Sequence, residues 1–228
     1  MGYIMQQDDS SSWCAMTANR KPSELSAMAM AIGKKLKLKE RLLMRYRPYI
    51  CPFHILMQYV RSDSRILDIG CGSGLWLYLL SRLKMIAYGV GVEVNADKVA
   101  LADSLKNPND ALEFCHIPAE QDWPNVKCDV LTMIDVLHHV PPQQQREFMQ
   151  RIDKSCIKMV IFKDIDPAAR FKSMMNSVHD LVLSHQLPRY CSREKIVKWL
   201  EETGFSIVCN KRCDMLWYSH YVIVAERK

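Results

Sequence analysis

The sequence predicts an α/β fold, a mostly parallel sheet with helices on both faces and a helical segment ahead of it. Three observations carry that prediction. From Arg65 onward, short apolar runs alternate with amphipathic segments, the pattern of successive β–α units. The first run ends in an acid and passes into Gly70, Gly72 and Gly74, three glycines on alternate positions. The last helical pattern stops at Gly204, and two further strand-like runs follow it.

Taken in order, residues 1–20 are polar and without periodicity, and Asp8-Asp9-Ser10-Ser11-Ser12 reads as a disordered leader. Pro22-Ser23 suits a helix start. Leu25, Met28, Ile32, Leu36 and Leu43 recur at helical spacing to about Met44, with Gly33 as a break. Pro48 and Pro52 make residues 47–53 a rigid connector, and residues 54–60 a short helix. Residues 21–61 thus form an N-terminal helical extension, and residues 62–228 the α/β domain.

Within that domain strand one is 65–69, followed by a helix over 75–84. Strand two is 87–92, and Asn95 can cap a helix that continues to Leu105. Strands three and four are 112–116 and 129–134. Pro141 or Pro142 suits the opening of a helix through Ile152. Strand five is 159–163, with helices over 171–185 and 193–203, the latter ended by Gly204 as its C-terminal cap. Residues 205–210 and 217–225 form the closing pair of strands.

Size and composition restrict the function. A chain of 228 residues makes one ordinary domain with a full core, and no apolar run approaches the roughly 18 residues of a membrane span. The short apolar patch at 25–32 precedes its lysines, opposite to a secretory signal, so the expected location is cytoplasmic. Nine cysteines without a C-x-x-C pair fit neither a disulfide framework nor a zinc site. Cys71, Cys115, Cys128 and Cys209 instead sit in apolar stretches as small hydrophobes. Between Arg20 and Arg47 stand nine basic residues against two acidic ones, so the net charge of +6 is concentrated there. That excludes a surface built throughout to grip DNA or RNA, and leaves a solvated helix face, or one basic segment for RNA, an anionic carrier protein or a membrane surface.

The glycine stretch selects the ligand class. A dinucleotide fingerprint starting at Gly70 needs glycine where Leu75 stands, and a P-loop needs a lysine that Ser73-Gly74-Leu75-Trp76 lacks. Asp68-Ile69-Gly70-Cys71-Gly72-Ser73-Gly74 resembles the first motif of class I S-adenosylmethionine-dependent methyltransferases, an acid followed by G-x-G-x-G. Glu201-Glu202-Thr203-Gly204-Phe205 before two strands is similar to the end of that fold. The resemblance implies a Rossmann-like seven-stranded mixed sheet whose last strand is antiparallel, S-adenosyl-L-methionine as cofactor, and N-terminal helices that cover it and shape the acceptor pocket.

Glu93 ends strand two, 19 residues beyond Gly74, at the sheet edge where ligands of open α/β folds bind. An acid there can accept both ribose hydroxyls, the role its position has in the family. The resemblance implies a cofactor set of Asp68, Gly70, Cys71, Gly72, Gly74, Glu93, Val94, Ala119, Glu120 and Asp135. Asp68 would order the glycine turn and lie near the amino acid moiety. In the loop after strand three relatives carry Gly-Asp-Ala, whereas this chain places Pro118 at the aspartate. That leaves Glu120 or Asp122 as the substitute, or backbone amides alone to hold the adenine, with Trp123 an adenine wall or a core residue. Residues 128–140, ending Asp135-Val136-Leu137-His138-His139-Val140, resemble the segment lining the cleft beside the methyl donor.

Methyl transfer is an in-line displacement, so the protein must mainly align donor and acceptor and exclude water. A base helps if the acceptor has a proton to lose, which nominates His138, His139 and His179. Two adjacent histidines on a helix cannot both face the cleft, and the candidate catalytic residues are His139 and His179. Asp164 and Asp166 follow strand five, but without a matching third ligand no metal is expected. Residues 176–181 and 47–53 resemble methyltransferases of bacterial aryl-polyene and related polyketide clusters. That narrower resemblance implies secondary metabolism, with an aromatic or carrier-bound acyl acceptor methylated on carbon or oxygen. The competing functions are an RNA methyltransferase, disfavoured by the absence of an Asn-Pro-Pro-Tyr motif after strand four, and a non-catalytic cofactor-binding partner subunit.

Overall fold

A computed structural model describes residues 20–154, 156–166, 189–216 and 218–228. The leader expected before residue 20, the helix expected over 171–185, and His179 lie outside the described residues. Helices α1 (Pro22–Ile32), α2 (Leu38–Ile50) and α3 (Phe53–Leu56) precede β1 (Ser64–Ile69). Then follow α4 (Leu75–Arg82), β2 (Ile86–Glu93), α5 (Ala96–Ser104), β3 (Leu112–His116) and β4 (Val130–Ile134). The described chain closes with α6 (Gln145–Gln150), β5 (Met159–Ile165), α7 (Arg193–Glu202), β6 (Phe205–Met215) and β7 (Tyr218–Arg227).

The strands form one seven-stranded sheet in the order β3-β2-β1-β4-β5-β7-β6. Strands β1 to β5 are parallel, and β7 enters antiparallel between β5 and β6. Every residue of β4 and β5 is buried, which is why these central strands read as continuous apolar runs. Side chains alternate between two cores, Ile66 and Val130 on one face, Leu67 and Leu131 on the other. The first core also holds Leu25, Ala29, Leu56, Trp76 and Leu80, and the rings of Phe53 and Trp76 stack at 5.4 Å. The N-terminal helices therefore share the core of the sheet. Among the described residues no helix is long and apolar enough to cross a membrane.

Local signals place the elements. The Asn95 side chain accepts from Asp97 N at 2.9 Å and Lys98 N at 3.1 Å, capping α5, and Gly204 ends α7 at φ +84°. Gly33 divides the N-terminal pattern into two helices, its amide closing α1 on Ala29 O. Pro141 starts a turn whose carbonyl accepts from Gln144 and Gln145, so the helix proper begins only at Gln145.

The rigid connector expected over 47–53 is corrected. Helix α2 runs through Pro48 to Ile50, and Cys51 N closes it on Arg47 O at 2.8 Å. Proline here forgoes its own hydrogen bond and crowds the Met44 carbonyl one turn back, and the burial of Pro48 with Met44 against the body of the protein holds the turn in spite of that cost.

Candidate active site

The chain leaves β1 through a turn in which Gly70, Gly72 and Gly74 have φ of +71°, +56° and +76°. The turn is tied to the end of β2: Gly70 N and Cys71 N both donate to Val92 O, at 2.7 and 3.0 Å. A Cβ on Gly70 would lie 2.5 Å from Val136 Cγ2, so the turn there is packed against the segment after β4. At Gly72 a Cβ would meet nothing within 4 Å. The backbone is therefore supported beneath and open at its middle glycine, where the left-handed angle already excludes most side chains.

Glu93 is 6% exposed at the carboxyl end of β2. Its Oε2 accepts from Gly72 N at 2.9 Å, and its Oε1 accepts from Asn95 N at 3.0 Å. Each carboxylate oxygen keeps a further lone pair, so Glu93 fixes the turn and can still accept two hydroxyls of a ligand. Val94 beside it is 58% exposed, an apolar surface at the same edge. Helix α4 begins at Leu75 without a side-chain cap, leaving its first amides beside the turn.

Asp68 is buried one strand over and accepts from Thr132 Oγ1 at 2.6 Å. Burial, reinforced by the nearby Glu93 charge and opposed by the Thr132 hydrogen bond, pushes its pKa up to about 7. The glycine turn is ordered by the hydrogen bonds to Val92 and Glu93, while Asp68 is bonded to Thr132 of β4.

A second polar group lies at the carboxyl ends of β4 and β5. Asp135 adopts φ +59°, ion-pairs with Arg47 Nη2 at 2.7 Å, and bonds to the wholly buried Lys163. Burial raises the pKa of Asp135, but the Lys163 and Arg47 cations outweigh it and hold the carboxyl far below the usual range. Its carboxylate thus joins α2 to β5. His138 is buried with Nδ1 2.6 Å from Asp164 Oδ1, while the adjacent His139 is exposed, its ring centroid 4.1 Å from that of His138. Asp164 thus fixes His138 within the fold, and the His139 ring packs beside it at the surface. Desolvation of its ring, reinforced by the neighbouring His138, lowers the pKa of His139 to about 4, so it is neutral at pH 7.

Asp135, His138 and Asp164 bring potential ligand atoms within 4.8 Å of one another, the one such cluster among the described residues. Its charges are already matched by Lys163, Arg47 and the His138–Asp164 pair. A dication there would sit beside a buried ammonium, so this donor set favours ion pairs over a bound metal.

In the loop after β3, Ala119 O and Gln121 O accept from Arg151 at 3.0 and 3.2 Å, and Ala119 and Glu120 are exposed. Trp123 packs edge-on against Phe148 at 5.2 Å, within the second core. A cavity of about 270 Å³ lined by Lys34, Lys35, Arg82 and Lys106 lies at the opposite end of α4 from the glycine turn, away from this chemistry.

Sequence reasoning missed Arg47, Lys163 and His220 as parts of the site. Lys163 had a signal, a cation inside the apolar run Met159–Ile165, which a buried strand tolerates only with a partner. His220, facing Ile165 across β5 and β7, bonds through Nε2 to Ile50 O at 2.8 Å. Burial and the Lys163 charge lower its pKa to about 3.

A family model described as a methyltransferase domain matches residues 40–210. The mitochondrial ubiquinone biosynthesis O-methyltransferase of Candida albicans is 28% identical over 168 residues, 67% of this chain and 51% of that protein. The protein of the same name from Schizosaccharomyces pombe is 34% identical over 90 residues, 39% of this chain and 32% of that protein. The chain thus spans about half or less of the curated relatives it matches. Among solved structures, magnesium protoporphyrin IX methyltransferase from Synechocystis PCC 6803 with bound SAH superposes with a TM-score of 0.58 at 19% identity, over 73% of this chain and 74% of that one. At that identity the likeness establishes the shared fold.

Proposed function

The chain belongs to the methyltransferase-domain family, and we propose that it transfers a methyl group from S-adenosylmethionine to an oxygen of a small-molecule acceptor. The observation that carries this reading is the cradle formed by Gly72 and Glu93: an open, left-handed backbone position tied to a buried carboxylate. S-adenosylmethionine fits it by chemistry, since a Cβ at Gly72 would fill only ligand space and Glu93 retains lone pairs for the ribose hydroxyls. Bound there, it supplies an electrophilic methyl group on a sulfonium.

The chain's own residues orient and deprotonate. Gly72, the first amides of α4 and Glu93 hold the donor side, and Val94 offers an apolar face for the adenine. The pairing of Arg47 with Asp135 ties α2 to the carboxyl end of β4, at the edge of the sheet where the cleft opens. His139, neutral and exposed beside the buried His138–Asp164 pair, takes the acceptor's hydroxyl proton as the carbon–oxygen bond forms.

Oxygen is the acceptor atom this reading favours, since the similar Candida albicans and Schizosaccharomyces pombe proteins are O-methyltransferases by name. Carbon methylation of an aromatic or carrier-bound acyl acceptor, as in the aryl-polyene type, is placed second, and a cytoplasmic location belongs to the same reading. Incubating the protein with a cell extract and labelled methyl donor, then finding the mass-shifted compound, tests the acceptor. A labelled small molecule with a new methoxy group supports the reading, and label appearing only in RNA overturns it.

A further inference from the structure

We propose that the outer face of α2 docks this protein on an anionic bilayer surface, with the cleft mouth held at the lipid. Four of the seven large apolar side chains exposed among the described residues lie on this one helix, Leu38 at 71%, Leu42 at 38%, Leu43 at 48% and Tyr46 at 55%. Leu38, Leu42 and Tyr46 recur every fourth position, so they line one stripe. Met44 and Pro48, the buried residues of the helix, occupy the opposite side. The helix therefore turns apolar residues both to the core and to solvent, which a simply solvated helix does not do.

Charge brackets the stripe. Lys39 and Arg45 flank it on the helix, one on each side, and Lys34, Lys35 and Lys37 stand just ahead of its first turn, against Glu40; the Arg45 guanidinium lies 5.8 Å from the Tyr46 ring centroid. An apolar ridge flanked by long cationic side chains matches the layering of a bilayer, acyl chains below and anionic headgroups above, with the basic ends reaching outward from apolar stems. RNA would engage the cations and leave the leucines exposed. The cavity lined by Lys34 and Lys35 continues the basic surface at the start of the helix. At the other end, Arg47 pairs with Asp135 at the cleft. A helix lying on a membrane would thus present the cleft to acceptors dissolved in the lipid, a consequence that rests on the proposed function, whereas the docking itself does not.

Flotation of the full chain with phosphatidylcholine vesicles, with and without phosphatidylglycerol, tests this. The expected result is binding to the anionic vesicles alone, weakened by salt and by about fivefold for each of Lys37→Gln and Lys39→Gln. The double variant Leu42→Glu, Tyr46→Glu should lose vesicle binding at least about tenfold while binding S-adenosylmethionine as the unaltered protein does, which shows that it folds. Vesicle binding unchanged in that variant overturns the proposal. So does an absence of vesicle binding combined with tight binding to polyuridylate, to an acidic carrier protein or to a second copy of the chain. Should the unaltered protein bind vesicles but no S-adenosylmethionine, docking stands and the functional reading falls.

Discussion

The amide of Gly72 donates a 2.9 Å hydrogen bond to Oε2 of Glu93, joining the turn after β1 to the end of β2. The same carboxylate receives the Asn95 amide through its other oxygen, so one side chain fixes the glycine turn and the approach to α5. The residue that offers hydroxyl acceptors to a ligand also shapes the backbone against which that ligand would lie.

Glu93→Ala should therefore act on both folding and binding. It leaves the Gly72 and Asn95 amides without their acceptor, a cost of about 1–3 kcal/mol, and removes the ribose acceptors. Urea unfolding should show the loss of stability, and calorimetry should show S-adenosylmethionine affinity falling by more than about tenfold. Unchanged affinity in a folded variant would mean that Glu93 serves only the backbone.

Asp135 and Lys163 should be separable by substitution. Asp135→Asn suits the left-handed position but leaves a fully buried ammonium without its carboxylate, a loss of about 3–5 kcal/mol. Adding Lys163→Met removes the stranded charge, so the double variant should recover most of that loss in denaturant unfolding. A double variant as unstable as the single one would contradict the pairing.

Asp68 gives the ligand-free protein a pH dependence of definite sign. Its folded pKa of about 7 stands above the unfolded value of about 3.9, so the folded state holds the proton more tightly. The resulting contribution is full below about pH 4, declines as pH rises to about 7, and is gone above it. Asp68→Asn should flatten the fall in melting temperature across that window. A melting curve whose pH dependence is untouched by the substitution would show that Asp68 ionises normally.

His139→Ala should lower kcat by about 100- to 10,000-fold with S-adenosylmethionine affinity unchanged, once an acceptor is in hand. Because its surroundings lower the His139 pKa, the acid limb of the kcat profile should fall below the ordinary histidine value of about 6.5. A rate indifferent to the substitution would move the base elsewhere.

Most of the sheet could be read from the chain because its parallel strands are short apolar runs with sharp ends. The bounds of β3 agree residue for residue, and those of β1, β2 and β4 to within one residue. Strand β6 was expected to stop at Asn210 but continues to Met215, since an edge strand alternates polar and apolar residues and its end looks like a loop. Pro48 hid the last turn of α2 because local stiffness argues for a connector, whereas burial decides for the helix. At the site, the glycines and Glu93 were visible because spacing and strand ends are local features. Arg47, Lys163 and His220 were not, because their meeting with Asp135 and Ile50 depends on the pairing of β4 with β5 and of β5 with β7.

The central claim is that the open backbone at Gly72 is ligand space. Gly72→Ala adds a Cβ that meets no protein atom within 4 Å, at a backbone cost of about 1–2 kcal/mol. Calorimetry of the unaltered protein and this variant with S-adenosylmethionine, and with NADH as control, tests it most directly. The predicted result is heat with S-adenosylmethionine alone, and a folded variant whose affinity falls by more than about tenfold. Equal affinity in the two proteins, or a preference for NADH, would contradict it.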